Sequence, residues 1–455
     1  MKIINPATEE LIREVEEDSA STIEKKFDRV KEGQRRWREL PIEKRVACLS
    51  QFSALLEKNE EELARTLTQE MGKPIRESLN EISGARRRIQ FFLDHAAEVL
   101  QPKIVHKEAG LVESLEFEPL GVIANISAWN YPYLVGVNVF VPALIAGNAL
   151  LYKPSEYTTV TGLKIGELLW EAGVPPETFQ VIVGGGSVGK ELLTLPLDGF
   201  FFTGSYRTGQ AIADAVASRM IPVGLELGGK DPLYVAADVK NVASVAAAAV
   251  EGSFYNNGQS CCAVERIYVE RKIYPLFVQA FLAEVKKLKV GDPLNAGTTQ
   301  GALARPSQVS FLEDQVQDAV QKGATLLIGG KRWGKKGAFF EPTVLVDVHH
   351  GMKVMKEESF GPVIGLQSVS DDEEAIHLMN DTEYGLTASV YSSNKERARA
   401  ILSRIDTGTG YWNCCDRVSP YLPWSGRKHS GLGATLSSLG IQAFVKPKAY
   451  HLRQP

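Results

Sequence analysis

The sequence predicts an α/β protein with two lobes, in which helices cover mostly parallel sheets. From Gly121 onward, short apolar stretches of strand length alternate with helical stretches, and this alternation is typical of βαβ units. It occurs in two series, one before and one after Cys262, which predicts two lobes with a cleft between them. A length of 455 residues also fits two or three domains, at about 150 residues per domain.

The first hundred residues are expected to be mainly helical. Apolar residues recur at helical spacing across 41–67, and a second, charged helix is expected over 74–100. Apolar and polar residues then alternate over 111–118 after a Glu-Ala-Gly turn, which predicts a hairpin arm with one apolar face. The tail, 443–452, is expected to form a final strand.

The two α/β series are assigned from strand-length apolar runs and the helical periodicity between them. The first series has predicted strands at 121–126, 149–152, 179–183 and 199–202, with helices at 162–171 and 208–220. The second has predicted strands at 266–269, 324–328, 363–368 and 389–392, with helices at 274–288, 307–322, 373–380 and 396–405.

The composition argues against several classes of partner. With 51 basic and 55 acidic residues, the net charge is −4, so no nucleic-acid partner is expected. No apolar run reaches the roughly 20 residues of a membrane span, and the first residues lack a signal-peptide pattern, so we expect a cytoplasmic protein without a membrane partner. The cysteine spacing does not match a zinc site, so the thiols are expected to be reduced and no metal is expected.

Two glycine-rich turns follow predicted strands and are candidates for binding a phosphate. Residues 184–189 fit the pattern GxGxxG, and residues 202–209 place a Gly-Ser turn before a helix. Free N–H groups and the helix dipole at such a turn favour an anion. Each segment is equally consistent with an ordinary strand-to-helix turn.

Lys153 and Glu156 follow a predicted strand, and therefore lie at the carboxyl edge of the predicted sheet, where open α/β sheets bind ligands. They could hydrogen-bond the two hydroxyls of a ribose. A solvated ion pair is the ordinary alternative.

Three further residues are candidates for chemistry. Asn130, flanked by aromatic residues, could direct its amide at a developing oxyanion. Glu226 lies in an apolar stretch, where burial would raise its pKa and suit it to general-base catalysis. A cysteine in the polar Gly-Gln turn over 258–262 is a candidate nucleophile. The ordinary alternatives are a turn asparagine, a paired carboxylate and a small buried thiol.

Together, five motifs resemble the aldehyde dehydrogenase superfamily in order and spacing: Trp-Asn-Tyr-Pro, Lys-Pro-Ser-Glu, Phe-Thr-Gly-Ser, Glu-Leu-Gly-Gly-Lys and Gly-Gln-x-Cys. The resemblance covers nearly the whole chain. It implies a Rossmann-like parallel sheet in an NAD-binding domain (1–100 and 119–226), a second α/β catalytic domain (227–440), and a β-hairpin oligomerisation arm (101–118 and 441–455). A homodimer or homotetramer is expected.

The resemblance also implies roles for individual residues. Cys261 matches the nucleophile, because the family's cysteine stands two places after the glutamine, and Cys262 is then its neighbour. Glu226 matches the general base and Asn130 the oxyanion donor. The residues that match cofactor ligands are Trp129, Lys153, Glu156, Gly204, Ser205, Gly209, Leu227, Glu358 and Phe360. Those that match the substrate tunnel are Tyr131, Val135, Asn138, Ser260, Cys414 and Trp424.

The function implied is oxidation of a small-molecule aldehyde to the carboxylic acid through a covalent cysteine thiohemiacetal and thioester. NAD is expected to be favoured over NADP, because Glu156 would repel the 2′-phosphate. Three alternatives remain open: a CoA-acylating relative, a cysteine thioesterase or esterase without cofactor, and a crystallin-like structural member.

The sequence departs from the family pattern at Ala128, at Ala434-Thr435 and at Trp424. None of these departures is expected to touch the catalytic trio. Among the predicted tunnel residues there is no arginine for a carboxylate end, although Arg417 and Arg427 lie nearby in sequence.

Overall fold

Helices and strands alternate along most of the chain in the computed structural model, which describes residues 1–454. The α-helices are α1 (Ala20–Arg38), α2 (Ile42–Lys58), α3 (Glu60–Met71), α4 (Ile75–Leu100), α5 (Pro132–Ile145), α6 (Thr159–Glu171), α7 (Gly186–Leu192), α8 (Tyr206–Val216), α9 (Val242–Phe254), α10 (Tyr274–Val285), α11 (Ser307–Gln321), α12 (Lys353–Lys356), α13 (Asp372–Asn380), α14 (Lys395–Leu402) and α15 (Ser437–Gln442). Among residues 1–454, no helix combines the length and the apolar character that crossing a bilayer requires.

The strands fall into two large sheets and three small ones. They are β1 (Lys2–Ile4), β2 (Leu11–Glu14), β3 (Lys103–Glu108), β4 (Leu111–Pro119), β5 (Val122–Ile126), β6 (Ala149–Lys153), β7 (Phe179–Val181), β8 (Gly199–Thr203), β9 (Val223–Glu226), β10 (Asp231–Val235), β11 (Val264–Glu270), β12 (Thr325–Ile328), β13 (Thr343–Val346), β14 (Val363–Val369), β15 (Tyr384–Gly385), β16 (Thr387–Tyr391), β17 (Thr409–Trp412), β18 (Arg427–Lys428), β19 (Gly431–Leu432) and β20 (Val445–Arg453).

The first large sheet has the order β19-β9-β8-β5-β6-β7. Its strands are parallel except for the short β19, which pairs antiparallel with β9. The predicted domain boundary places β19 in the catalytic range 227–440, yet the structure adds it to the sheet on the other side of that boundary. The parallel strands end at one edge, so the residues that follow β5, β6, β8 and β9 lie near one another.

The second large sheet has the order β12-β13-β14-β11-β10-β16-β17 and is parallel except between β12 and β13. The interior strand β10, next to the middle strand β11, was not among the predicted strands. All five residues of β10 are buried, and β10 pairs with β11 on one side and with β16 on the other. The chain passes from the first sheet to the second between the end of β9 and the start of β10, which are only a few residues apart.

A three-stranded antiparallel sheet, β20-β4-β3, forms an arm. The β3–β4 hairpin turns at Gly110, whose φ of 78° favours glycine. The tail strand β20 pairs with β4 along its full length, from Val445 opposite Pro119 to Arg453 opposite Leu111. Every residue of β3 is exposed.

The prediction of one continuous helix over 41–67 was wrong, because the structure has two helices there, α2 and α3. The chain breaks at Asn59, whose N–H bonds the carbonyls of Leu55 and Glu57 and ends α2. Three glutamates open α3, and negative charge in the first turn favours a new helix N-terminus. The second predicted helix, over 74–100, is confirmed as α4.

Gly33 in α1 provides a test of the packing. A Cβ built there would lie 1.8 Å from the backbone oxygen of Glu177, and overpacking of this kind typically costs about 1–3 kcal/mol. We expect Gly33→Ala to lower the thermal unfolding midpoint by roughly 1–3 °C. Gly186, where an added Cβ would meet nothing within 4 Å, is the matched control. Equal midpoints for the two alanine variants would contradict this packing.

Candidate active site

Two cavities meet at one thiol. The first has a volume of about 380 Å³ and the second about 490 Å³. Both are lined by Thr203, Glu226, Leu227 and Cys261. Cys261 is therefore reachable from both sides, which suits a group that must contact a substrate in one cavity and a cofactor in the other.

The loop before Cys261 has an unusual backbone. Asn256 and Asn257 have φ values of 53° and 55°, and Gly258 follows with 71°. Such left-handed residues are costly except for glycine and, to a lesser degree, asparagine. At Gly258 a Cβ would also lie 2.4 Å from the oxygen of Gly361. The sequence Asn-Asn-Gly thus supplies the residue types that this turn requires.

Buried hydrogen bonds hold this loop in place. The Asn256 N–H donates to Glu77 at 2.9 Å. The Asn257 side-chain amide donates to the Ala302 carbonyl at 2.9 Å and accepts from the Gly301 N–H at 2.8 Å. Strained turns persist only where surrounding contacts over-determine them, and these side chains perform that function here.

Asn130 lies beside the same loop. It is buried, and its Nδ2 donates to the Gln259 carbonyl at 3.2 Å. The backbone carbonyl of Asn130 accepts a hydrogen bond of 2.6 Å from Lys73, which is fully buried in an ion pair with Glu81. The other Glu81 oxygen accepts from the Tyr133 N–H at 2.8 Å, at the start of α5. This buried ion pair therefore holds both the Asn130 carbonyl, through Lys73, and the start of α5, through Glu81.

Glu226 lies at the carboxyl end of β9 and faces both cavities. Burial raises its pKa to about 7, while hydrogen bonds from Thr435 and Trp424 and the charge of Arg88 act in the opposite direction. The Thr435 hydroxyl donates directly to the Glu226 carboxylate. The expectation that the departure at Thr435 touches none of the catalytic trio was therefore wrong, because β19 brings that segment against β9.

Cys261 and Cys262 have different surroundings. The Cys261 side chain lies at the junction of the cavities, whereas Cys262 is 5 % exposed and donates its S–H to Asp416 at 3.0 Å. Its contact with Cys261, its burial and the Asp416 charge raise the pKa of Cys262 well above the ordinary range of a thiol. A thiolate is consequently disfavoured at Cys262.

The second cavity contains most of the predicted cofactor ligands: Trp129, Gly204, Ser205, Leu227, Glu358 and Phe360. Ser205 caps α8, so the free N–H groups of that helix open at the cavity. The Trp129 and Phe360 rings meet edge to face at 5.3 Å. Glu358 accepts the Gly229 N–H at 3.0 Å, and burial raises its pKa to about 8. A helix N-terminus, aromatic rings and buried acceptors in one cavity fit a dinucleotide.

Three predicted cofactor residues lie outside the lining of this cavity. Lys153 is buried at the end of β6, with Nζ 3.3 Å from the Pro154 carbonyl. Glu156 follows at the same sheet edge and accepts the Ser155 hydroxyl at 3.3 Å. Gly209 lies within α8, where a Cβ would clash with Leu227. The glycine there allows the helix to pack closely.

The first cavity contains five of the six predicted tunnel residues: Tyr131, Val135, Asn138, Ser260 and Trp424. Cys414 instead lines a separate cavity of about 140 Å³, next to Cys415. Left-handed residues at Asn413 and Asp416, with φ of 54° and 49°, turn this segment so that Asp416 faces the tunnel. Cys414 therefore does not line the first cavity with the other five, and Asp416 does.

Sequence reasoning missed Arg87 and Arg88 on α4, which also line the first cavity. Their helix was predicted, but arginines in a charged helix give no motif that would distinguish them from surface residues. The hydrogen-bonding pattern around them is visible only in three dimensions.

Comparison with known proteins finds aldehyde dehydrogenases along the whole chain. The model of the aldehyde dehydrogenase family matches residues 1–450. Peroxisomal aminoaldehyde dehydrogenase 1 of Pisum sativum is 34% identical, over 98% of this chain and 91% of its own. Betaine aldehyde dehydrogenase from Staphylococcus aureus, in complex with NAD+, superposes with a TM-score of 0.95 at 30% identity, covering 100% of this chain and 92% of that one. An NADP-dependent enzyme of E. coli superposes with a TM-score of 0.96 at 32% identity, covering 99% of this chain and 94% of that one.

The chain belongs to the aldehyde dehydrogenase family. It is an oxidoreductase that uses a nicotinamide dinucleotide and a cysteine-based mechanism to oxidise an aldehyde. Both NAD and NADP occur among its structural neighbours.

The contrast between the two thiols gives a direct test. We expect iodoacetamide to modify Cys261 at least tenfold faster than Cys262, because Cys261 faces both cavities whereas Cys262 is buried and bonded to Asp416. Peptide fragmentation by mass spectrometry locates the label. Cys262→Ser should keep the fast reaction at residue 261, and Cys261→Ser should lose it. Faster labelling of Cys262 would contradict the structure.

Proposed function

We propose that aldehyde oxidation takes place where the two cavities meet, with Cys261 as nucleophile, Asn130 as oxyanion donor and Glu226 as general base. The observation that carries the proposal is that Cys261 and Glu226 line both cavities. The first cavity would hold the aldehyde and the second the dinucleotide.

In the first step the Cys261 thiolate adds to the carbonyl carbon and forms a thiohemiacetal. The negative charge develops on the carbonyl oxygen, which Asn130 and the Cys261 N–H can stabilise. The Asn130 amide has two N–H groups, and its contact with Gln259 uses one of them, so the second remains for the oxyanion. When bound, the nicotinamide supplies the hydride acceptor.

Loss of hydride from the thiohemiacetal carbon, for which the nicotinamide would be the acceptor, would leave a thioester on Cys261. In the second step a water molecule attacks this thioester. Glu226, with its pKa raised by burial to about 7, is poised to accept a proton from water near neutral pH. Carbon–sulfur cleavage then releases the carboxylic acid and restores the Cys261 thiol.

Two alternative chemistries differ from this one in cofactor and acceptor. A CoA-acylating enzyme would transfer the acyl group to CoA, but the buried carboxylate of Glu226 beside Cys261 favours water. A cysteine esterase would have no use for the second cavity with its aromatic and helix N-terminal lining. Mixing the protein with NAD and a simple aldehyde, with and without CoA, tests these chemistries. NADH formation independent of CoA is expected, and NADH formation only with CoA would contradict the hydrolytic step.

Hydrolytic turnover should depend on pH through Glu226. Its folded pKa is raised, and its active form is the carboxylate, so the rate should fall as pH drops below about 7. The Thr435 hydrogen bond lowers this pKa; Thr435→Val should therefore move the acidic limb to higher pH. Thr66→Val, on the distant helix α3, is the matched control. If the acidic side of the pH–rate profile does not shift in Thr435→Val, the hydrogen bond between Thr435 and Glu226 would be contradicted.

We also propose that NAD is preferred over NADP. Glu156 lies at the carboxyl edge of the first sheet, where a carboxylate accepts ribose hydroxyls but repels a 2′-phosphate of about −2 charge. We expect roughly a tenfold preference in kcat/KM, which is about 1.4 kcal/mol. Glu156→Ser should shift the ratio toward NADP, whereas Glu167→Ser on α6 should not. A wild type that prefers NADP would contradict the role of Glu156.

The arm supports a proposal of a homodimer or homotetramer. Strand β3 leaves an open edge, on which Ile104 and Val105 are 67% and 64% exposed. An exposed apolar edge strand is commonly covered by another chain. Light scattering at micromolar concentration should give a dimer or tetramer, and Ile104→Lys with Val105→Lys should weaken it. A monomeric wild type would contradict the proposal.

A cytoplasmic location is proposed from the thiols. All five cysteines are free, and Cys48, Cys261 and Cys414 are partly exposed. Exposed thiols persist best in a reducing compartment. The peroxisomal location in the name of the pea relative is a property of that protein.

A further inference from the structure

An arginine that contacts no carboxylate lines the first cavity. Arg88, on α4, is 9 % exposed and faces the space that holds Tyr131 and Trp424. Its Nη1 donates to the Leu134 carbonyl at 3.1 Å and to Asn138 Oδ1 at 3.0 Å. Both of these acceptors are neutral.

The remaining donors of Arg88 are free. Within residues 1–454, Nε and Nη2 of Arg88 donate to no protein acceptor. Neither atom is among the fully buried polar atoms without a hydrogen-bond partner, so both remain accessible. They therefore open into the cavity. The fully buried Arg266 is different, because its Nε, Nη1 and Nη2 each bond a carbonyl or hydroxyl oxygen.

The carboxylates of the cavity are engaged elsewhere. Glu81 pairs with Lys73 at 2.6 Å, and Glu251 pairs with Arg417 at 3.4 Å. Glu226 accepts the Thr435 hydroxyl, and Asp416 accepts the Cys262 thiol. Within the part of the chain that the structure describes, Arg88 makes no ion-pair contact, although its charge lowers the pKa of Glu226. A buried charge without a partner is costly, so a ligand that supplied the counter-charge would bind favourably.

We propose that Arg88 recognises a carboxylate at the far end of the aldehyde, so that the preferred substrates are ω-oxo acids. The proposal rests on the proposed function, because it assigns the first cavity to the aldehyde. Nε and Nη2 form one side of the guanidinium fork, and that side matches the two oxygens of a carboxylate. Arg87, exposed at the same cavity, adds positive charge along the route of entry.

Asp416 is the residue of the first cavity that would favour a substrate with a positively charged end. It faces the same cavity, and burial raises its pKa to about 6. One of its oxygens already accepts the Cys262 thiol, and Arg417 follows it directly in the chain. Preference for a cationic aldehyde is therefore the competing outcome of the test.

The test compares substrates that differ only in end charge. At each length from three to six carbons, kcat/KM is measured for the ω-oxo acid, its methyl ester and the corresponding aminoaldehyde. We expect the acid to exceed the ester and the amine by at least tenfold at the best length. Arg88→Gln should remove that preference, Arg88→Lys should retain part of it, and Arg427→Gln, outside the cavity, should retain all of it.

A second measurement needs no turnover. Binding of the matching dicarboxylate, the expected product, is followed by calorimetry, and Arg88→Gln should weaken it at least tenfold. A wild type that favours the ester or the amine at every length would overturn the proposal, as would an acid preference that survives in Arg88→Gln. If no aldehyde is oxidised while dicarboxylate binding still depends on Arg88, the proposed aldehyde oxidation is contradicted, whereas the proposed anion site at Arg88 is supported.

Discussion

The position of Cys261 depends on the left-handed turn through Asn256, Asn257 and Gly258. Three consecutive residues in this conformation would not persist in an isolated peptide. They persist here because buried side chains bond each part of the turn, and because Gly258 packs directly on the backbone of Gly361. The turn thereby couples the thiol to the segment before β14, which also contains the cofactor-cavity residues Glu358 and Phe360.

Helix α4 connects the parts of the site. Glu77 and Glu81 are four residues apart and Arg88 follows after seven more, a spacing that places all three on one face of the helix. Glu77 bonds the left-handed turn before Cys261, Glu81 holds Lys73 against the Asn130 carbonyl, and Arg88 lines the first cavity. One helix therefore sets Asn130, the Cys261 thiol and the wall of the first cavity relative to one another.

The sequence predicted those features that depend on local patterns. Helix α4 and the alternating strands follow from periodicity, whereas the choice of Asn130, Glu226 and Cys261 came from the resemblance of five motifs to the family. The features that it missed depend on contacts between distant segments. Strand β10 begins with Asp231 and Pro232, yet is an interior strand of the second sheet, where its neighbours bury it. Thr435 meets Glu226 across 209 positions, and Arg88 is distinguished only by the partners that it lacks.

The central claim is that acyl transfer occurs through Cys261 and that Glu226 ends it. Glu226→Gln, which keeps the shape of the base but removes its charge, is mixed with NAD and an aldehyde and quenched after one turnover. The account predicts a burst of NADH and a protein whose mass has increased by one acyl group, located on Cys261 by fragmentation. An acyl group on Cys262, or a burst of NADH without any acyl-protein, would contradict it.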